Sequence, residues 1–114
     1  PGDWFSAMPA RMQASRDRLT EALTREGFSV ARSQGTYFLT IDLPGSGVAE
    51  ADRAFALRAV TQAGVAAIPV SAFYETEAVT RVLRLCFAKA DDVLDAAATR
   101  LARARDLSLK ATEA

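Results

Sequence analysis

The chain has 114 residues, half of them hydrophobic and a quarter charged, the balance of one ordinary globular domain and too short for two. Lys and Arg number 14 and Asp and Glu number 14, so nothing offers the electrostatic footprint of a nucleic-acid or membrane-surface binder, and self-association is unopposed. The absence of histidine removes Ser-His-Asp and Cys-His catalysis, histidine acid–base chemistry and histidine-bearing zinc sites, while the single Cys86 allows no internal disulfide and fits a reducing cytoplasm.

The first predicted element is a helix from about Phe5 to Glu26. Met8, Met12, Leu19 and Leu23 fall on one stripe, Pro9 sits in the first turns where a missing N–H is tolerated, and Gly27 stops the helix so that Phe28 can fold back on Leu23. Phe28 to Ala31 reads as a short strand and Ser33-Gln34-Gly35 as a turn. Thr36 to Leu43 alternates, with Tyr37, Leu39 and Ile41 on one face and Phe38, Thr40 and Asp42 on the other. Pro44-Gly45-Ser46-Gly47 is a loop, too short for a phosphate loop and lacking the lysine of a Walker motif.

A second helix is expected from about Ala49 to Ala63, with Glu50 and Asp52 in its first turn, Leu57 and Val60 facing inward, and Gly64 as its stop. Val65 to Val70 reads as an apolar strand halted by Pro69, and Ser71 to Thr80 as a connection. Val82 to Ala88 is a strand with Leu83, Leu85 and Phe87 on one face and Val82, Arg84 and Cys86 on the other. The last helix starts near Asp91 or Asp92 and buries Leu94, Ala97, Ala98 and Leu101. Arg100, Arg103 and Arg105 complement its C-terminal dipole, and Leu107 to Ala114 is expected to fray.

This order, helix, strand, strand, helix, strand, strand, helix, predicts an α+β two-layer sandwich: three helices on one face of a small, mostly antiparallel sheet. Residues 1–114 form a single domain on this reading, and the uncovered sheet face is the first sign of a larger whole. No apolar run approaches the ~20 residues of a membrane span, no signal-peptide pattern opens the chain, and the start at Pro1-Gly2-Asp3 without an initiator methionine suggests a truncated or processed piece.

Arg84 is the main candidate for chemistry. A guanidinium stays charged, so a strand carrying one inward needs an anionic partner, and its planar fork matches a carboxylate in two parallel hydrogen bonds. Spacing alone leaves a second possibility, a strand-end cation paired with a surface carboxylate such as Glu75 or Glu77. Cys86 shares the arginine's face but has no histidine base, and reads as a small core hydrophobe. Phe73 and Tyr74 are either pocket-rim aromatics or core aromatics, and Gly35 and Thr36 either line a pocket or only make a turn.

Several stretches together carry a family resemblance. They are Met12, Arg16-Asp17 and Leu23 in the first helix; Gly35-Thr36-Tyr37-Phe38 with Asp42; Gly64-Val65-Ala66, Ile68-Pro69 and Phe73-Tyr74; and Arg84-Leu85-Cys86-Phe87-Ala88-Lys89 followed by Asp91 and Asp92. Their order and spacing resemble the C-terminal small domain of class I/II aminotransferases, the pyridoxal-phosphate enzymes of fold type I. The closest likeness is to the branch of kynurenine aminotransferases, cysteine-conjugate β-lyases and succinyldiaminopimelate aminotransferases.

The resemblance implies a C-terminal substrate-binding domain of an enzyme that moves an amino group from an amino acid to a 2-oxo acid, with Arg84 gripping the substrate α-carboxylate. Gly35, Thr36, Tyr37, Phe73 and Tyr74 would lie at the pocket rim. The cofactor implied is pyridoxal 5′-phosphate, carried on a lysine of a large domain outside this chain, because neither Lys89 nor Lys110 sits in a segment like the family's cofactor lysine. No catalytic, cofactor-binding or metal residue is expected within the chain, which alone should not transaminate. The implied partners are a small-molecule amino acid and 2-oxo acid, the large domain of the same polypeptide and a second copy in a homodimer, in the cytoplasm, with no nucleic acid and no membrane. A C–S β-lyase of the same fold and a stand-alone α+β binding or regulatory module remain as alternatives.

Overall fold

The computed structural model describes residues 9–32, 37–70 and 81–113. Helix α1 (Ala10–Arg25) is followed by strands β1 (Ser29–Arg32) and β2 (Phe38–Asp42), helix α2 (Asp52–Arg58), strands β3 (Ile68–Pro69) and β4 (Val82–Cys86), and helix α3 (Asp91–Glu113). The four strands form one sheet in the order β1-β2-β4-β3, and every pairing is antiparallel. The described helices pack on one face of it, giving the α+β two-layer sandwich that the element order predicts.

The core follows from alternation. Leu39 and Ile41 of β2, Leu83 and Leu85 of β4 and Phe87 just beyond point to the helices and are buried with Leu19 and Leu23 of α1, Phe55 of α2, and Leu94, Ala98 and Leu101 of α3. Removing this apolar surface from water is the main favourable term that the fold draws on. The β2–β4 pair continues past the strand ends: the Leu43 N–H donates to the Arg81 carbonyl at 3.0 Å and the Phe87 N–H to the Tyr37 carbonyl at 2.9 Å.

α1 begins after Pro9, whose carbonyl accepts the N–H groups of Met12 and Gln13; the expected helical residues Phe5 to Met8 lie outside the described residues. Its end is a Schellman turn. Gly27 takes φ +87°, the Gly27 N–H bonds the Thr24 carbonyl, and the Phe28 N–H reaches the Leu23 carbonyl at 3.0 Å. Arg105 of α3 closes the same end, donating to the Glu26 carbonyl and lying 4.4 Å from the centroid of the Phe28 ring.

Several boundaries and faces differ from the expectation. The second helix starts at Asp52 rather than Ala49, and a single π-helical turn, Ala59–Ala63, completes it. Its inner side is Phe55, Ala56 and Ala59, whereas Leu57 and Val60 are 63% and 50% exposed. Both sets fit a helical period, and the one with the aromatic ring buries more apolar area. The strand expected over Val65 to Val70 shrinks to Ile68–Pro69, an edge position that tolerates a proline without an N–H. The tail expected to fray is helical to Glu113, because Ala104 and Ser108 prolong the buried stripe with small side chains.

Candidate functional site

The register places Arg84 in the middle of β4, a strand with neighbours on both sides. Thr40 lies directly opposite on β2 and Ile68 directly opposite on β3. Opposed residues share a face, so Ala31, Thr40, Arg84 and Ile68 form one row across the side of the sheet opposite the described helices. Phe38 and Cys86 form the next row on one side, and Asp42 and Val82 the next on the other. Phe38, Val82, Arg84 and Cys86 are half-buried. Arg84 is therefore an interior-strand cation rather than a strand-end one, and its guanidinium carbon lies 5.4 Å from the centroid of the Phe38 ring.

Neighbouring polar groups have their own engagements. The Asp42 carboxylate accepts the Gly45 N–H at 3.0 Å, and the Thr40 hydroxyl donates to the Ala31 carbonyl at 3.3 Å. Of the expected rim residues, Gly35, Thr36, Phe73 and Tyr74 lie outside the described residues, as do Glu75 and Glu77. Tyr37 is half-exposed, and its ring meets the buried Phe87 edge-on, 6.0 Å between centroids, next to the core face rather than beside Arg84. Among the described residues the aromatic beside Arg84 is Phe38, which belongs to the Gly35-Thr36-Tyr37-Phe38 stretch but was not among the expected rim residues. Its signal was the alternation that puts Phe38 and Thr40 on one face, and it becomes a contact only once β2 and β4 are paired.

Lys89 and Lys110 are both exposed, Lys89 just after β4 and Lys110 in the last turns of α3. A cavity of about 560 Å³ opens between α3, the end of β4 and residues 64–66, with Lys89, Asp92 and Arg100 at its edge. Its walls, Leu19, Val65, Leu85 and Leu94 among them, belong mainly to the helical side and do not include Arg84. Among the described residues no group of three or more His, Cys, Asp or Glu could hold a metal ion, and no helix is long and apolar enough to cross a membrane. Gly45-Ser46-Gly47 forms, with Pro44, a tight 3-10 turn in which Ser46 is buried.

Two ion pairs fix the frame behind this face. Arg58 donates from Nε and Nη2 to Glu50, at 2.8 and 3.0 Å, and hydrogen bonds from Arg58 hold the Glu50 carboxyl below its ordinary pKa, with the Ser108 hydroxyl assisting. Arg18 of α1 grips Asp95 of α3 at 2.9 and 2.7 Å, and this hydrogen bonding lowers the Asp95 pKa in the same way.

A family model described as aminotransferase class I and II matches residues 2–101. The chain belongs to the class I and II aminotransferase family. The chain is 37% identical over 107 residues to a probable N-succinyldiaminopimelate aminotransferase of Mycobacterium tuberculosis, covering 86% of this chain and 27% of the relative. It is 39% identical over 98 residues to a methionine aminotransferase of Escherichia coli, covering 85% and 25%. A rat kynurenine–oxoglutarate transaminase 1 is 31% identical over 120 residues, covering 94% and 28%. Among solved structures, an Escherichia coli protein with a methionine aminotransferase function superposes with a TM-score of 0.75 at 36% identity, covering 85% of this chain and 25% of that one. A tetra mutant of Thermus thermophilus aspartate aminotransferase superposes at 0.69 and 31% identity, covering 82% and 24%. This aminotransferase-family chain thus spans about a quarter of the length of the curated relatives it matches.

Proposed function

We propose that this chain is the C-terminal substrate-binding domain of a pyridoxal-phosphate-dependent aminotransferase, which transfers an amino group from an amino acid to a 2-oxo acid, and that Arg84 binds the substrate α-carboxylate. The observation that supports this best is the place of Arg84: mid-strand, half-buried, on the sheet face opposite the described helices. A guanidinium there presents a planar fork that takes a carboxylate in two parallel hydrogen bonds. Fixing the carboxylate fixes the rotation of the substrate about its Cα, and most of the benefit of such a contact is orientation.

Pyridoxal phosphate, when bound, supplies the electron sink for carbanion chemistry at Cα. The described residues of this chain do not fit its attachment. Both lysines are exposed, whereas an amine of shifted pKa suited to forming a Schiff base needs a desolvated or cation-flanked setting. On this reading the cofactor and its lysine belong to a large domain of the same polypeptide, which covers the Arg84 face, and the working unit is a homodimer in the cytoplasm. What this chain contributes is binding and orientation.

The test is turnover by the full-length protein with each of the twenty L-amino acids and 2-oxoglutarate, following glutamate. Glutamate formed in step with a new 2-oxo acid supports the reading. Pyruvate and ammonia released from cysteine conjugates without any glutamate would instead make the enzyme a β-lyase, and no turnover at all would leave a non-catalytic module.

A further inference from the structure

The cavity of about 560 Å³ beside α3 lies where two neighbouring strands part. β3 pairs with β4 only through Ile68 opposite Arg84 and Pro69 opposite Leu83. Continued, the ladder would set Ala66 opposite Cys86. Instead residues 64–66 leave it, and the Val65 N–H donates to the Ala59 carbonyl at 3.0 Å. Backbone groups of successive residues in an antiparallel strand point to alternate sides. The Phe87 N–H donates to the Tyr37 carbonyl on the β2 side, so the Cys86 N–H and C=O point to the β3 side, into the gap. Among the described residues neither group has a backbone partner there. The walls are apolar and largely buried, Leu19, Val65, Leu85 and Leu94 among them, and the rim carries Lys89, Arg100 and Asp92, all exposed. Arg100 donates from Nη1 to the Gly64 carbonyl at 3.1 Å, whereas among the described residues no ion pair or hydrogen bond engages the Lys89 ammonium.

We propose that this cleft binds a small amphipathic monocarboxylate, its apolar tail against Val65, Leu85 and Leu94 and its carboxylate drawn to the Lys89 ammonium at the rim. Apolar walls with a few polar groups at one end, in a cavity of this size, are the usual make-up of a small-molecule site. The Cys86 N–H supplies a backbone donor, and a strand N–H facing a cleft gains from a partner there. Charge sets the ligand class. Lys89 and Arg100 against Asp92 leave the rim with one excess positive charge, so one carboxylate is attracted, a second would meet Asp92, and an amine would meet the two cations. Arg84 does not line the cavity, and the site is independent of its role.

The experiment titrates octanoate calorimetrically into the full-length holoenzyme and into its Lys89→Gln, Ala97→Phe and Arg84→Ala variants. Lys89→Gln is expected to weaken binding about two- to five-fold, the range of a solvent-exposed ion pair. Ala97 lines the cavity, so the Phe ring should fill it and abolish binding, while Arg84→Ala should keep it. From butanoate to octanoate the affinity should rise by up to about four-fold per methylene, as apolar burial requires. Octylamine, with the same tail and the opposite charge, should bind more weakly than octanoate. Lys89 is exposed, so its variant reads the site without touching the core. No octanoate binding to the wild type, binding that Lys89→Gln or a folded Ala97→Phe leaves unchanged, or octylamine binding as tightly as octanoate overturns the inference. Binding lost in Arg84→Ala overturns it too, and leaves the reading of Arg84 as a carboxylate binder intact.

Discussion

The Ser46 hydroxyl accepts the Ser29 N–H at 2.8 Å and donates to the Asp42 carbonyl at 2.7 Å, with only 2% of the residue exposed. One side chain thus satisfies a donor at the start of β1 and an acceptor at the end of β2, and Ser46→Ala leaves both without that partner. The expected cost is about 1–3 kcal/mol in urea unfolding of the isolated chain; no loss would mean that water replaces the hydroxyl fully. Beside it, a Cβ at Gly45 would fall 2.5 Å from the Asp42 Oδ2 and 3.1 Å from the Ser29 Cβ, so the turn also depends on the missing side chain. In the sequence this segment reads only as a turn, because the hydroxyl's partner Ser29 is fixed by the pairing of β1 with β2. Arg84 was legible for the opposite reason. A lone cation in a strand of alternating apolar residues shows its face locally, whereas its aromatic neighbour Phe38 depends on the β2–β4 register.

At the scale of elements, α2 shows where periodicity stops deciding. Leu57 and Val60 match a helical stripe as well as Phe55 and Ala59 do, and only the burial of Phe55 in the core that α2 shares with the sheet and the other helices selects the face. The tail of α3 was missed because Ser108 reads as polar, yet it is 1% exposed and its hydroxyl serves the Glu50 carboxylate. The Glu50–Arg58 pair therefore joins the segment before α2, the end of α2 and the end of α3. A carboxyl whose pKa is lowered in the folded state adds stability that is fully present above its unfolded pKa, about 4.3, and is lost as the pH falls through the lowered folded value. Glu50→Gln should thus lower Tm at pH 7, and the gap to wild type should close in acid below that range. A gap of constant size down to pH 2 would show that the charge is irrelevant. At the end of α1, Gly27 at φ +87° holds the Schellman turn, and Gly27→Ala should destabilise by about 1–2 kcal/mol through the left-handed backbone alone.

On the scale of the whole molecule the two sheet faces have different fates. One carries the core and all three described helices; the other presents Phe38, Val82, Cys86 and Arg84, half-buried, with Ile68 more exposed at the edge. Apolar surface of several hundred Å² marks an interaction site, so the isolated chain is expected to self-associate or to bind hydrophobic dyes while folded; a strict monomer without dye binding at high concentration counts against a covering domain. The isolated chain mixed with pyridoxal phosphate should give no stoichiometric, borohydride-trappable adduct at Lys89, which is exposed at the end of β4. The fold class and the layer order were readable from the order of elements and the alternation in β2 and β4. The shortness of β3 was not, since Pro69 marks an edge without saying how far pairing extends. The proposed role of Arg84, holding the substrate α-carboxylate, is decided by kcat/KM of the full-length Arg84→Lys and Arg84→Ala variants, measured with amino acids and with their decarboxylated amines. A roughly ten- to hundred-fold loss is expected for Lys and a larger one for Ala, confined to substrates bearing the carboxylate, with folding intact. Wild-type kcat/KM toward amino acids in both variants would contradict it.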